Sequence, residues 1–194
     1  MKAIDSLTDQ LVRKGYIPSE DRDIYVYGFD ITIYTVLSTT ALLLIGFLLR
    51  QFVPTLILVF GFYTFQTIGG GYHANTHLRC FLTMVAGLLV GLSSVSIQDR
   101  HILLWILFGI GALLLLFVPL VVHPNKSYLE AKRKCLTIRS IVVTLSILVC
   151  VIVINITLES MMYSFAAVFL LSGISRVTGK AVYRRLTTAR NPDL

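Results

Sequence analysis

Residues 101–124 read HILLWILFGIGALLLLFVPLVVHP, without a single Asp, Glu, Lys or Arg. A helix needs about 20 mostly apolar residues to cross the hydrocarbon core of a bilayer. This segment predicts such a span, and the pattern repeats in both directions from it. Charge-free stretches at 31–49, 51–78, 80–98, 140–158 and 160–175 bring the total to six. The last is short and reaches full length only by running past Arg176, whose long side chain would snorkel to the surface. The composition agrees, with 56% hydrophobic residues, 14% charged and a mean hydropathy of +0.80. A soluble domain carries roughly 25% charged residues, so an ordinary globule is excluded, and disorder with it. The expected fold is all-α: a polytopic membrane protein of six transmembrane helices forming a single domain over 1–194.

The net charge of +7 comes from 17 basic and 10 acidic residues, and these lie between the apolar runs. That placement speaks for topology rather than for nucleic acid. Lys and Arg mark cytoplasmic loops. With six spans, the N-terminal segment, the loop holding Arg79, the loop from Lys126 to Arg139 and everything from Arg176 onward share one side and hold 15 basic residues. The opposite loops hold only Arg50 and Arg100. Both termini are therefore expected in the cytoplasm. The division of 140–175 into two spans rests on Glu159 alone.

No apolar run ahead of a small-residue cleavage site is visible in the first 28 residues, which contain nine charged side chains, so no signal peptide is expected. Over 1–18, Ile4, Leu7 and Leu11 fall on one helical face opposite Lys2, Asp5, Asp9, Arg13 and Lys14. Such a helix lies along a membrane surface or docks on a partner. Gly15 and Pro18 should end it, and Ser19 should cap the next helix. Gly87 and Gly91 form a GxxxG pair in the third span that would permit a helix dimer. Asp30 and Asn155 are unusual in apolar surroundings, where they line a cavity or sit at interfacial depth. Cys135 reads as a loop thiol and Cys150 as a core residue.

One segment does not read as packing. Between spans two and three runs GGGYHANTHLRC, residues 69–80. Gly69, Gly70 and Gly71 are a poor continuation of a helix and let the backbone turn and approach other groups closely. Non-helical backbone at membrane depth survives only where protein or a watery cavity surrounds it, so a re-entrant or interfacial loop is expected here. Cys80 opens span three, where the helix dipole and Arg79 both favour negative charge on its sulfur. A histidine in reach would make a nucleophile–base pair. In a straight helix His77 shares a face with Cys80, whereas His73 is about 10.5 Å away along the axis and reaches it only if the chain bends. Spacing leaves three readings open: a catalytic His–Cys pair, a metal site of His73, His77 and Cys80, or histidines at a polar interface beside an inert cysteine.

The run Gly70–Gly71–Tyr72–His73–Ala74 followed by Arg79–Cys80 resembles the accessory gene regulator B family of quorum-sensing membrane peptidases. The size, the six spans, the amphipathic N-terminal helix and the basic loops resemble it more loosely. The resemblance implies that His73 and Cys80 are the catalytic pair, with His77 a bystander. Gln66 stands near a position where the family often carries a basic residue. The resemblance further implies a small autoinducer precursor peptide as substrate, cut through an acyl-thioester and cyclised to a thiolactone or lactone. It implies no cofactor or metal, a homodimer, and a bacterial cytoplasmic membrane as location. Backbone N–H groups near Cys80, or the side chains of Asn75 or Gln66, are the candidate oxyanion donors or orienting groups. Arg184, Arg185 and Arg190, in a basic tail expected over 176–194, are candidate contacts for anionic lipid or an acidic part of the peptide. The competing class is a small transporter or channel component with a re-entrant loop.

Overall fold

A computed structural model describes residues 2–72, 74, 76–121, 130–157 and 161–190. They are helical, with no strand among the described residues: α1 is Lys2–Arg13, α2 Arg22–Leu48, α3 Phe52–Gly69, α4 His77–Ser93, α5 His101–Phe117, α6 Glu130–Thr157 and α7 Met162–Arg190. Single 3₁₀ turns at Ser19–Asp21 and Ser94–Ile97 lead into α2 and close α4. The chain divides into two compact units, Met1–Ile45 and Gly46–Leu194.

In the first unit α1 stops where its glycine predicts. Gly15 takes φ +75, its N–H donates to the Val12 carbonyl, and the Tyr16 N–H donates to the Leu11 carbonyl. That pair of bonds is the Schellman arrangement, which needs a left-handed residue at its corner. The start of α2 differs from expectation. Pro18, not Ser19, occupies the N-cap position, without a side-chain cap, and its carbonyl takes the Asp21 N–H. A tight 3₁₀ turn thus satisfies the donor that a serine hydroxyl was expected to bind. Arg22 binds α1 to α2 through Asp9 at 2.7 Å and Asp5 at 3.7 Å, and meets Asp23 at 3.2 Å.

In the second unit α7 is the central helix, packed chiefly on α5 and α3. Phe169 is wholly buried there, with its ring 4.5 Å from that of Phe108 and 5.1 Å from that of Phe65. Gly111 and Gly173 let α5 and α7 approach, since a Cβ on Gly111 would come within 2.4 Å of the Phe169 backbone and one on Gly173 within 2.8 Å of Leu114. Small residues at a helix crossing serve this purpose in membranes. The expected GxxxG face is split. Gly91 is packed on Leu58, while only Gly87 opens onto free space.

Among the described residues, five helices are long and apolar enough to cross a membrane: Ser19–Leu48, Phe52–Gly69, His77–Ile97, Lys134–Ile154 and Met162–Arg185. Their outward faces carry exposed Leu37, Phe47, Leu82, Val90, Val149 and Val153, the inverse of a soluble protein. The expected fourth span is helical over His101–Phe117 only. Val118 is already extended, at φ −80 and ψ 118, because Pro119 follows it. Charge alone had set that span's length, and the proline shortens it. α6 ends at Thr157 and α7 begins at Met162, while Glu159, on which the expected division rests, lies outside the described residues.

Arg176 corrects another expectation. It does not snorkel but is 2% exposed, and α7 continues unbroken beyond it to Arg190. The basic residues expected in a tail therefore ride on the last turns of α7. Cys150 likewise differs from its expected core position, since it is exposed on α6.

Candidate active site at the glycine loop

The site grows from the C-terminus of α3. Gly70 ends that helix with φ +65, and its N–H donates to the Gln66 carbonyl. Each of the three glycines then has a separate physical reason. A Cβ on Gly69 would lie 1.5 Å from a guanidinium nitrogen of Arg176. One on Gly70 would lie 2.0 Å from the Val121 carbonyl oxygen, and one on Gly71 would lie 2.2 Å from the Gln66 amide oxygen. The loop is a close-packed segment, and side chains are excluded from it on three sides.

Residues distant in sequence supply the walls. The Val121 N–H donates to the Gly69 carbonyl at 3.2 Å. The Tyr72 N–H donates to Ser175 of α7 twice, to its carbonyl at 3.1 Å and its hydroxyl at 3.2 Å. The Gln66 amide nitrogen donates to the same hydroxyl at 2.7 Å. One turn on, Gly179 brings the α7 backbone against Gly71 and Tyr72, within 2.7–3.0 Å of a would-be Cβ. The Arg176 guanidinium donates to the Leu115 carbonyl and, at 3.1 Å, to the Ser140 hydroxyl. Its Nε and the Gln66 Oε1 are buried and unpartnered among the described residues.

The loop leads into α4. Thr76 is the N-cap, extended at φ −133 and ψ 149, and its hydroxyl accepts the Arg79 N–H at 3.3 Å. The Cys80 N–H is taken by the Thr76 carbonyl at 3.0 Å. Two of the backbone donors nearest the cysteine are thus engaged in the cap. Cys80 itself is a free, partly buried thiol in the first turn, and His77 begins that turn three residues earlier, exposed. His73 and Asn75 lie outside the described residues. The proposed metal trio includes His73, so it is not visible as a whole. Among the described residues no group of three or more potential ligands comes together.

The expected site residues therefore fall into two groups. Gln66, Gly69 and Gly71 meet α7 and Gly70 meets Val121, whereas Cys80 and His77 share the α4 turn. Arg184 and Arg185 are exposed on α7, about 14–15 Å beyond Ser175 along its axis; the Arg190 side chain is outside the described ones. Thr76 had a readable signal, a capping residue just before a helical run. Ser175 and Gly179 had none, because their partner lies more than 100 residues earlier in the chain.

Apolar helices able to cross a membrane, a glycine loop closed by the last of them and a thiol in the following turn fit a polytopic membrane protein with a candidate site at the end of its helices. The chain belongs to the accessory gene regulator B family, whose model matches residues 4–176. Membership ties it to quorum-sensing propeptide processing at a membrane. No curated protein and no solved structure matches the chain.

Proposed function

We propose that the chain is a cysteine endopeptidase at the inner face of a bacterial cytoplasmic membrane, cutting a small autoinducer precursor peptide and preparing its cyclisation. Cys80 is the nucleophile and His73 its base. His73 takes the proton from the Cys80 sulfur, and the sulfur attacks the scissile carbonyl. As the C–N bond breaks, the imidazolium returns the proton to the leaving amine, and the peptide's N-terminal part stays on Cys80 as a thioester. A thiol or hydroxyl of the same peptide then displaces Cys80, closing a thiolactone or lactone ring and restoring the free thiol. Exchange of one thioester for another changes the free energy little, and a water-poor site favours it over hydrolysis.

The observation that carries this reading is the position of Cys80. It is a partly buried thiol in the first turn of a spanning helix, directly after the glycine loop, in a chain whose family match includes the whole segment. Gln66, whose nitrogen is held by Ser175, acts as an orienting group for the loop. The six-span topology keeps α5 as a crossing. Its 17 residues span about 25 Å, short of the usual ~30 Å core, so the bilayer thins there. Both termini and the loop then face the cytoplasm, α1 lies on the inner surface, and the protein works as a homodimer.

Cys80→Ala and His73→Ala should each abolish cleavage of the precursor while leaving membrane insertion intact. His77→Ala should retain substantial activity, and strong chelation should have no effect. Wild-type cleavage by Cys80→Ala would overturn the peptidase assignment. Near-complete loss with His77→Ala beside mild loss with His73→Ala would move the base to His77.

A further inference from the structure

The cluster on α7 is chemically unlike the helix around it. Ser175 and Arg176 are adjacent polar residues on α7 where it meets the end of α3, and burying a charged group is costly. Arg176 is fully buried, and no carboxylate is paired with it among the described residues. It ties α7 to α5 through Leu115 and to α6 through Ser140 while lying flat on Gly69. This fixes the position of α7 along the loop. Ser175 then acts on the loop itself. Its hydroxyl accepts from Gln66 and from the Tyr72 N–H, and its carbonyl accepts the same N–H. Tyr72 immediately precedes His73 in sequence.

We propose that Ser175 is a positioning residue for the peptidase: its hydroxyl holds Gln66 and Tyr72 together at the residue that precedes His73 in sequence, with Arg176 locking α7 in register. The proposal rests on the His73–Cys80 reading above. It adds a helix more than 100 residues away to the apparatus that activates the thiol. The bond from Gln66 and one of the two from Tyr72 need a hydroxyl at 175, whereas the bond to the carbonyl does not. The close approach needs the absence of a side chain at Gly179, because any Cβ there would push the Gly71–Tyr72 backbone away.

The test needs no substrate. In the full-length, membrane-reconstituted protein carrying Cys135→Ser and Cys150→Ser, Cys80 is the single thiol, since the chain has three cysteines. Its rate of alkylation by iodoacetamide at fixed neutral pH is followed by mass. A base in place speeds this reaction, and loss of that base should slow it at least ~10-fold, below the ~10²–10⁴-fold that general acid–base help contributes in catalysis. Ser175→Ala should slow alkylation towards the rate of His73→Ala, and Ser175→Thr, which keeps the hydroxyl, should restore it. Ser172→Ala, one turn earlier on the buried side of α7 with a hydroxyl that has no partner among the described residues, should react like the parent. A merely structural role would show the opposite sign, because loosening the fold exposes the partly buried thiol and speeds alkylation. Unchanged or faster reaction in Ser175→Ala, or failure of Ser175→Thr to restore the rate, overturns the proposal while His73→Ala still slows the reaction. If His73→Ala itself reacts at the parent rate, the His–Cys pairing falls, and the positioning role with it.

Discussion

Gly70 carries the heaviest constraint of any single residue in the loop. Its backbone, at φ +65 and ψ 177, lies in a region essentially reserved for glycine and costs an L-residue about 1–3 kcal/mol before contacts are considered, and a Cβ would also strike the Val121 carbonyl. Gly70→Ala should therefore lower thermal stability in detergent by more than that amount and abolish activity. Gly71→Ala meets only the end of the Gln66 side chain. It should cost activity with a much smaller loss of stability, because that amide can move at the expense of its bond to Ser175. Equal destabilisation by both variants would contradict the packing described. Three adjacent glycines were legible in the sequence as a loop, since nothing else explains them in an apolar chain. What each one faces was not legible, because Arg176, Val121 and Gln66 reach them only through the fold. Arg176 shows the limit plainly. A lone arginine at the edge of an apolar stretch is compatible with snorkelling or with burial, and only contacts with Leu115 and Ser140 decide between them.

Among the elements, α1 offers the clearest electrostatic prediction. Its hold on the start of α2 is Arg22, and the hydrogen bond from that guanidinium to Asp9 holds the Asp9 carboxyl below the usual range, with the positive charges of Arg22 and Arg13 adding to it. A carboxyl depressed in the folded state stabilises above its unfolded pKa of about 3.9, and that contribution is lost as pH falls through the lower folded value. Amide hydrogen exchange in Lys2–Arg13, taken relative to the intrinsic rate at each pH, should therefore be protected at neutral pH and lose protection in strong acid. Asp9→Asn should reproduce the acid behaviour at neutral pH. Equal protection of Asp9→Asn and the parent would show that the ion pair does not hold α1. The end of α1 was readable from Gly15 because only a left-handed residue closes that turn. The end of α5 was readable too, from Pro119, but reading charges as punctuation hides prolines inside uncharged runs.

At the scale of the molecule, α7 joins two tasks: its buried face builds the core with Phe169, and its middle closes the glycine loop with Ser175. The same helix runs on into Arg184 and Arg185, exposed at its end. Under the proposed function, these two and Arg190 would meet an acidic portion of the precursor. Replacing the three together by Gln should raise the apparent KM and flatten its salt dependence, since exposed charges are screened beyond ~8 Å at physiological ionic strength. The rate at saturating peptide should hardly change. An unchanged KM with normal insertion would leave those arginines as topology and lipid contacts. The membrane class and the outer division into helices were legible from charge spacing. The central position of α7 was not, because its pattern of buried small and aromatic residues resembles that of any apolar helix.

The central claim is that Cys80 carries the peptide as a thioester, and it can be observed directly. The purified protein is incubated with short candidate precursor peptides from the same organism, quenched in acid and analysed by mass. The account predicts an added mass equal to the N-terminal part of the cleaved peptide, mapped to Cys80, released by hydroxylamine and absent from Cys80→Ala. Cleavage that proceeds with no adduct on Cys80, and at the same rate in Cys80→Ala, would contradict it.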